Sequence, residues 1–191
     1  MTPARAPRAD AIRNRGKILT AAGEQITTHG PDVGMDEIAA AAGVAVGTLY
    51  RHFPTKTDLV AAVVAEFVAR VTDDAEAALG RVADGARALD ELTGFLGRVV
   101  ETSAADRAVK AAAQSLGAEP GNPAAEQRAS GAVTDLIRAA QADGDIHPDV
   151  TVDDIYLLFS TAPTDQPASA RNRWLTLFTA GLTTEGRPAD R

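Results

Sequence analysis

From Ala11 to Leu182 the apolar residues return every three or four positions, and no stretch alternates apolar with polar side chains over a sustained run. A period near 3.6 buries one stripe of a helix, whereas a half-buried strand needs a period of two, so the chain reads as all-α. Ile12, Leu19, Ala22 and Ile26 form the first stripe, on a helix expected from Ala11 to His29 that Gly30-Pro31 stops. Met35 to Ala42 makes a short second helix around Ile38, ended by Gly43, and Val46 to Phe53 makes a short third one, broken by Pro54. Thr55-Lys56-Thr57-Asp58 reads as a capping box that opens a fourth helix. On that helix Leu59, Val60, Val63, Val64, Phe67, Val68 and Val71 form an arc wide enough to pack on two sides.

The same spacing continues through the remainder. Leu89, Leu92, Phe95, Leu96, Val99 and Val100 mark one helix, Arg107 to Ala118 a shorter one, and Ala132, Val133, Leu136, Ile137 and Ala140 a longer one closed by Gly144. A second capping box, Thr151 to Asp154, opens a helix through Ile155, Tyr156 and Phe159. The Pro-containing segment 161–170 is a loop, and Trp174, Leu175, Phe178 and Leu182 lie on the last helix of about nine. The expected division is an N-terminal three-helix part, 1–56, followed by a larger helical part, 57–191; both termini read as solvated.

Charge supports that division. The net charge of −7 hides a split: residues 1–56 carry seven Lys/Arg against five Asp/Glu, while residues 57–191 carry twelve against twenty-one. Only the first third could approach a phosphate backbone without net repulsion, so a basic footprint must be local. Several function classes find no support. Cysteine is absent and the three histidines are scattered, which leaves no thiolate nucleophile and no His/Cys metal cluster, and no glycine-rich phosphate loop is present. Neither a metal, a cofactor nor an enzymatic activity is expected. No apolar run approaches the length of a membrane span, and the first ten residues lack the hydrophobic middle of a secretory signal, so the expected location is cytoplasmic.

A helix of about eight residues, a three-residue turn containing Gly, and another short helix have the layout of a helix-turn-helix. At about 100° per residue, Leu49 and Phe53 fall on one side of the third helix, with Ala45 and Val46 near them, and Gly47, Thr48, Tyr50 and Arg51 fall on the other. The outward face is short, flat at Gly47 and rich in donors, which suits a major groove. Arg51 can present its fork to a guanine or clamp a phosphate, Thr48 offers a hydroxyl and a methyl, and Tyr50 can reach a phosphate oxygen. His52 lies at the flank, and Lys56 stands in the first turn of the fourth helix, where the dipole already favours an anion.

The stretch "MDEIAAAAGVAVGTLYRHFPTKTDLV" resembles the TetR/AcrR family of transcriptional regulators: an Ile-Ala pair, an Ala-Gly-Val turn, Gly-Thr-Leu-Tyr, an aromatic closing the recognition helix, then a Lys and a Leu opening the fourth helix. With the first helix the resemblance covers about the first third of the chain. It implies that Val46, Gly47, Thr48, Tyr50, Arg51, His52 and Lys56 meet double-stranded operator DNA. Relatives commonly carry Thr where Gly34 stands and Ser where Ala45 stands, so two cap hydroxyls are missing here.

The larger part resembles the family in layout alone, which implies a ligand-binding and dimerisation domain, a homodimer joined through its last long helices, a palindromic operator, and a small-molecule effector that releases a repressor. Candidates for lining that effector's pocket are Phe67, Phe95, Val99, Gln114, Tyr156, Phe159 and Trp174, although aromatic residues at helical spacing also read as core or interface. The alternatives are a helical interaction module that has lost DNA binding and a small helical enzyme.

Overall fold

The computed structural model describes residues 6–118 and 123–186. Nine helices are found among them: α1 (Ala6–His29), α2 (Met35–Ala42), α3 (Val46–His52), α4 (Lys56–Ala83), α5 (Ala88–Ala105), α6 (Arg107–Leu116), α7 (Pro123–Ala142), α8 (Val152–Thr161) and α9 (Ala168–Leu182). No strand occurs among the described residues beyond one isolated bridge between Ile146 and Thr183.

Local chemistry explains most of these boundaries. Both expected capping boxes form. The Thr55 amide donates to the Asp58 carboxylate at 3.0 Å and the Asp58 amide donates to the Thr55 hydroxyl at 3.1 Å, so two otherwise orphaned donors at the start of α4 are satisfied. At α8 the Thr151 amide donates to Asp154 at 2.8 Å. Gly43 ends α2 in the left-handed region, φ 65°, and the Val44 amide reaches back to the Ala39 carbonyl at 3.0 Å.

Two helices start earlier than their apolar stripes suggest. α1 begins at Ala6, five positions before the expected start, with Pro7 in its first turn, where a missing amide costs no intrahelical bond; Asp10 and Arg13 pair one turn later. α7 begins at Pro123 for the same reason, ahead of its stripe at Ala132.

The described residues form two compact units. The first runs to Phe67 and also takes in Ala105 to Ala118; the second is Val68–Ala104 with the residues from Pro123 onward. In the first unit Ile18, Leu19, Ala22 and Ile26 of α1, Ile38 of α2, Leu49 and Phe53 around α3, and Leu59, Val60 and Val63 of α4 share one core with Val109, Ala112 and Ala113 of α6. This packing division differs from the sequence-based one at residue 56. A capping box marks where a helix starts, whereas the side chains of its first three turns are buried where their neighbours are.

In the second unit Leu92, Phe95, Leu96 and Val99 of α5 pack with Ala132, Leu136 and Ile137 of α7 and Ile155 and Leu158 of α8. Thr72, fully buried on α4, donates to the carbonyls of Val68 and Ala125 and so leaves no polar orphan in that core. The Ile146–Thr183 bridge, with the His147 amide donating to the Leu182 carbonyl at 2.9 Å, ties the end of α9 to the loop before α8. Leu182 alone is buried on α9, while Leu177 of α9 and Tyr156 and Leu157 of α8 stand 50–59% exposed.

Candidate nucleic-acid interface

α3 is only seven residues long, too short to persist alone, so its shape is held by what lies under it. Leu49 is fully buried and Phe53 is 3% exposed, both in the core formed with α1 and α2. The Arg15 guanidinium of α1 sits over the Phe53 ring, 5.4 Å from its centre. The opposite face is open: Val46, Gly47, Tyr50 and Arg51 are exposed, and Thr48 and His52 are half-buried. Tyr50, at 48% exposure, projects its ring from the middle of that face.

The groups on this face are partly arranged by one another. Arg51 lies back along its own helix, its Nε donating to the Gly47 carbonyl at 3.0 Å and its Nη2 to the Thr48 hydroxyl at 3.3 Å. Thr48 therefore braces Arg51. Gly47 has room to spare: a Cβ placed there would meet no atom within 4 Å, so nothing in the fold itself requires glycine. Ala45 caps the helix without a side-chain bond, consistent with the missing hydroxyl. Gly34 compensates in part, its amide donating to Glu37 at 2.7 Å.

Lys56 is half-buried at the start of α4, and its ammonium donates to the Val33 carbonyl at 2.7 Å. That bond takes one of the three ammonium donors and joins α4 to the segment before α2. No sequence signal marks this link across 23 residues, nor the placement of Arg15 over Phe53.

The seven pocket candidates fall in both units. Phe67 lies in the first unit under the Lys110 ammonium, 4.5 Å from its ring centre, beside a void of about 10 Å³ that would hold roughly one water. Burial pushes the Lys110 amine down from its ordinary value. Gln114, also in the first unit, is exposed. In the second unit Phe95 and Val99 are buried, Phe159 and Trp174 are half-buried against the same core, and Tyr156 is exposed. Trp174 stacks obliquely on Phe178 at 5.7 Å. His29 ends α1, and His147 lies in the loop before α8, its Nδ1 2.7 Å from Asp149. Among the described residues no three His, Asp or Glu side chains are grouped to hold a metal ion, and no helix is long and apolar enough to cross a membrane.

Residues 18–63 match the model of bacterial regulatory proteins of the tetR family, and residues 87–184 match the C-terminal domain of SbtR-like transcriptional regulators. A TetR transcription regulatory protein from Mycobacterium vanbaalenii is 35% identical, with a TM-score of 0.73 over 92% of this chain and 98% of that one. A TetR transcriptional regulator from Streptomyces coelicolor is 28% identical, with a TM-score of 0.68 over 88% of this chain and 98% of the other. The curated proteins give no match.

Proposed function

We infer the function from one premise: the chain belongs to the TetR family of bacterial regulatory proteins and is a DNA-binding transcriptional regulator. We propose that the face of α3 bearing Val46, Gly47, Thr48, Tyr50, Arg51 and His52, with Lys56 beside it, lies in a major groove. The observation that carries this reading is the burial of Leu49 and Phe53 directly beneath exposed Gly47, Tyr50 and Arg51. On meeting DNA, Arg51 exchanges its bonds to Gly47 and Thr48 for a base edge or phosphate, a small loss because both bonds are open to solvent. Tyr50 and Lys56 hold the backbone and set the register.

The regulator works as a homodimer on a palindromic operator, its two heads about one helical turn apart, ~34 Å. The exposed apolar residues of α8 and α9, Tyr156, Leu157 and Leu177, are the surface a second copy would cover. A small-molecule effector bound in the second unit favours one setting of α4, a single helix that begins at Lys56, and thereby releases DNA and lifts repression. A coupling of about 1–3 kcal/mol gives a roughly 5- to 150-fold change in affinity. The cytoplasm is where such a protein finds its operator.

Electrophoretic mobility shift with the DNA upstream of its own gene, at two salt concentrations, tests the reading. Arg51→Ala should relax base preference, and Lys56→Ala should weaken all sequences alike and flatten the salt slope. If neither changes any DNA interaction, a protein-interaction module becomes the better account.

A further inference from the structure

Arg15 of α1 is exposed, and its guanidinium is held against the residue that ends α3, over the ring of Phe53. Phe53 in turn shares a core with Ile18 and Leu19 of α1, so the end of α3 and this part of α1 are fixed to each other. The ring is neutral, and among the described residues no hydrogen bond or ion pair from Arg15 is found. Its N–H donors are therefore open to a ligand. Other arginines nearby are engaged: Arg13 pairs with Asp10, and Arg51 folds back on Gly47 and Thr48.

Ile12 points the same way. It belongs to the stripe expected to be buried, yet it is 68% exposed. It stands three residues before Arg15, and residues three apart on a helix are surface neighbours. α1 thus presents an apolar side chain beside a guanidinium, next to the exposed face of α3. A nucleic-acid backbone offers a partner to each, phosphate oxygens to the guanidinium and the apolar side of a deoxyribose to Ile12. Lys56 follows Phe53 by three residues, so Arg15 and Lys56 flank the same end of α3.

We propose that Arg15 is a further operator contact, binding a phosphate at the edge of the groove that α3 occupies, with Phe53 as the platform that positions it and Ile12 against the adjoining sugar. The inference rests on the DNA-binding reading of α3 and widens its footprint onto α1. A guanidinium–phosphate contact is charge-assisted and blind to sequence, so Arg15 adds affinity and register and leaves base preference to α3.

The test is fluorescence anisotropy of the full chain on a labelled duplex from upstream of its own gene, across a salt series. Loss of one phosphate contact lowers the slope of log affinity against log salt by about 0.9 and, at about 0.15 M salt, weakens binding roughly fivefold. Arg15→Gln should do this, and Arg15→Lys should keep the slope. Ile12→Glu should lower the slope at least as much as Arg15→Gln, because a Glu three residues earlier pairs with Arg15 while leaving Phe53 untouched. At so exposed a position Ile12→Glu spares the fold, which circular dichroism and the melting temperature check. If Arg15 only packs on Phe53, Arg15→Gln lowers the melting temperature and both variants keep the salt slope of the unsubstituted chain. That result overturns the proposal. So does an Ile12→Glu variant that binds DNA normally but changes its oligomeric state in sedimentation, the sign that this face meets a second copy. In both cases DNA binding by the unsubstituted chain leaves the α3 reading standing, whereas no binding by the unsubstituted chain refutes the two together.

Discussion

Gly47→Ala separates what the fold needs from what DNA binding needs. Gly47 has an ordinary helical backbone, is exposed, and offers a new Cβ open space, so alanine should fit without strain. In a helix interior alanine is about 1 kcal/mol better than glycine; for a position in the first turn of a seven-residue helix the gain should be about 0.5 kcal/mol. In a chain of this length that raises the melting temperature by about 1–2 °C. The same methyl stands on the flat part of the face proposed to approach DNA. A methyl forced into a contact that only a backbone can make should cost at least about 1.4 kcal/mol, or tenfold in affinity. Differential scanning calorimetry and fluorescence anisotropy on a labelled duplex read the two effects separately. A variant that is more stable and binds DNA unchanged would refute the placement of this face against DNA, and a variant that melts lower would refute the open space above Gly47.

Leu49→Ala, at a fully buried position under α3, should cost about 2–5 kcal/mol in chemical denaturation and remove DNA binding through loss of the fold. Thr55→Ala removes the hydroxyl that accepts the Asp58 amide and should cost about 1 kcal/mol, a fall of about 2–4 °C in melting temperature. Hydrogen bonding from Arg171 holds the Glu101 carboxyl below its ordinary value of 4.5. A depressed carboxylate stabilises the fold fully above that value and loses the contribution as pH falls through its lower folded value, so Glu101→Gln should flatten the acid limb of a melting-temperature profile below pH 4.5 and leave its shape near neutrality unaltered.

Features decided within one helical turn were legible in the sequence. The Thr55–Asp58 and Thr151–Asp154 caps, the Gly43 terminus, and the opposition of Leu49 and Phe53 to Tyr50 and Arg51 all depend on residues three or four apart, and period and cap chemistry reveal them. Long-range placement was not legible. The amphipathic pattern of α6 says that one face is buried, without saying that its Val109 and Ala112 share a core with α1 and not with α5. Lys56 looked like a cation at a helix start, and its bond to Val33 depends on how two distant turns meet. Among the pocket candidates, aromatic residues at helical spacing look alike in the sequence, and that spacing cannot distinguish core Phe95 from exposed Tyr156.

The most direct test of the central claim places a photo-crosslinking phenylalanine analogue at Tyr50 or, separately, at Tyr156, both about half exposed, and irradiates each variant with a duplex from upstream of its own gene. The probe at position 50 should attach to that DNA, less so as salt rises, while the probe at 156 should attach to a second copy of the chain. DNA attachment from 156 and none from 50 would contradict that claim.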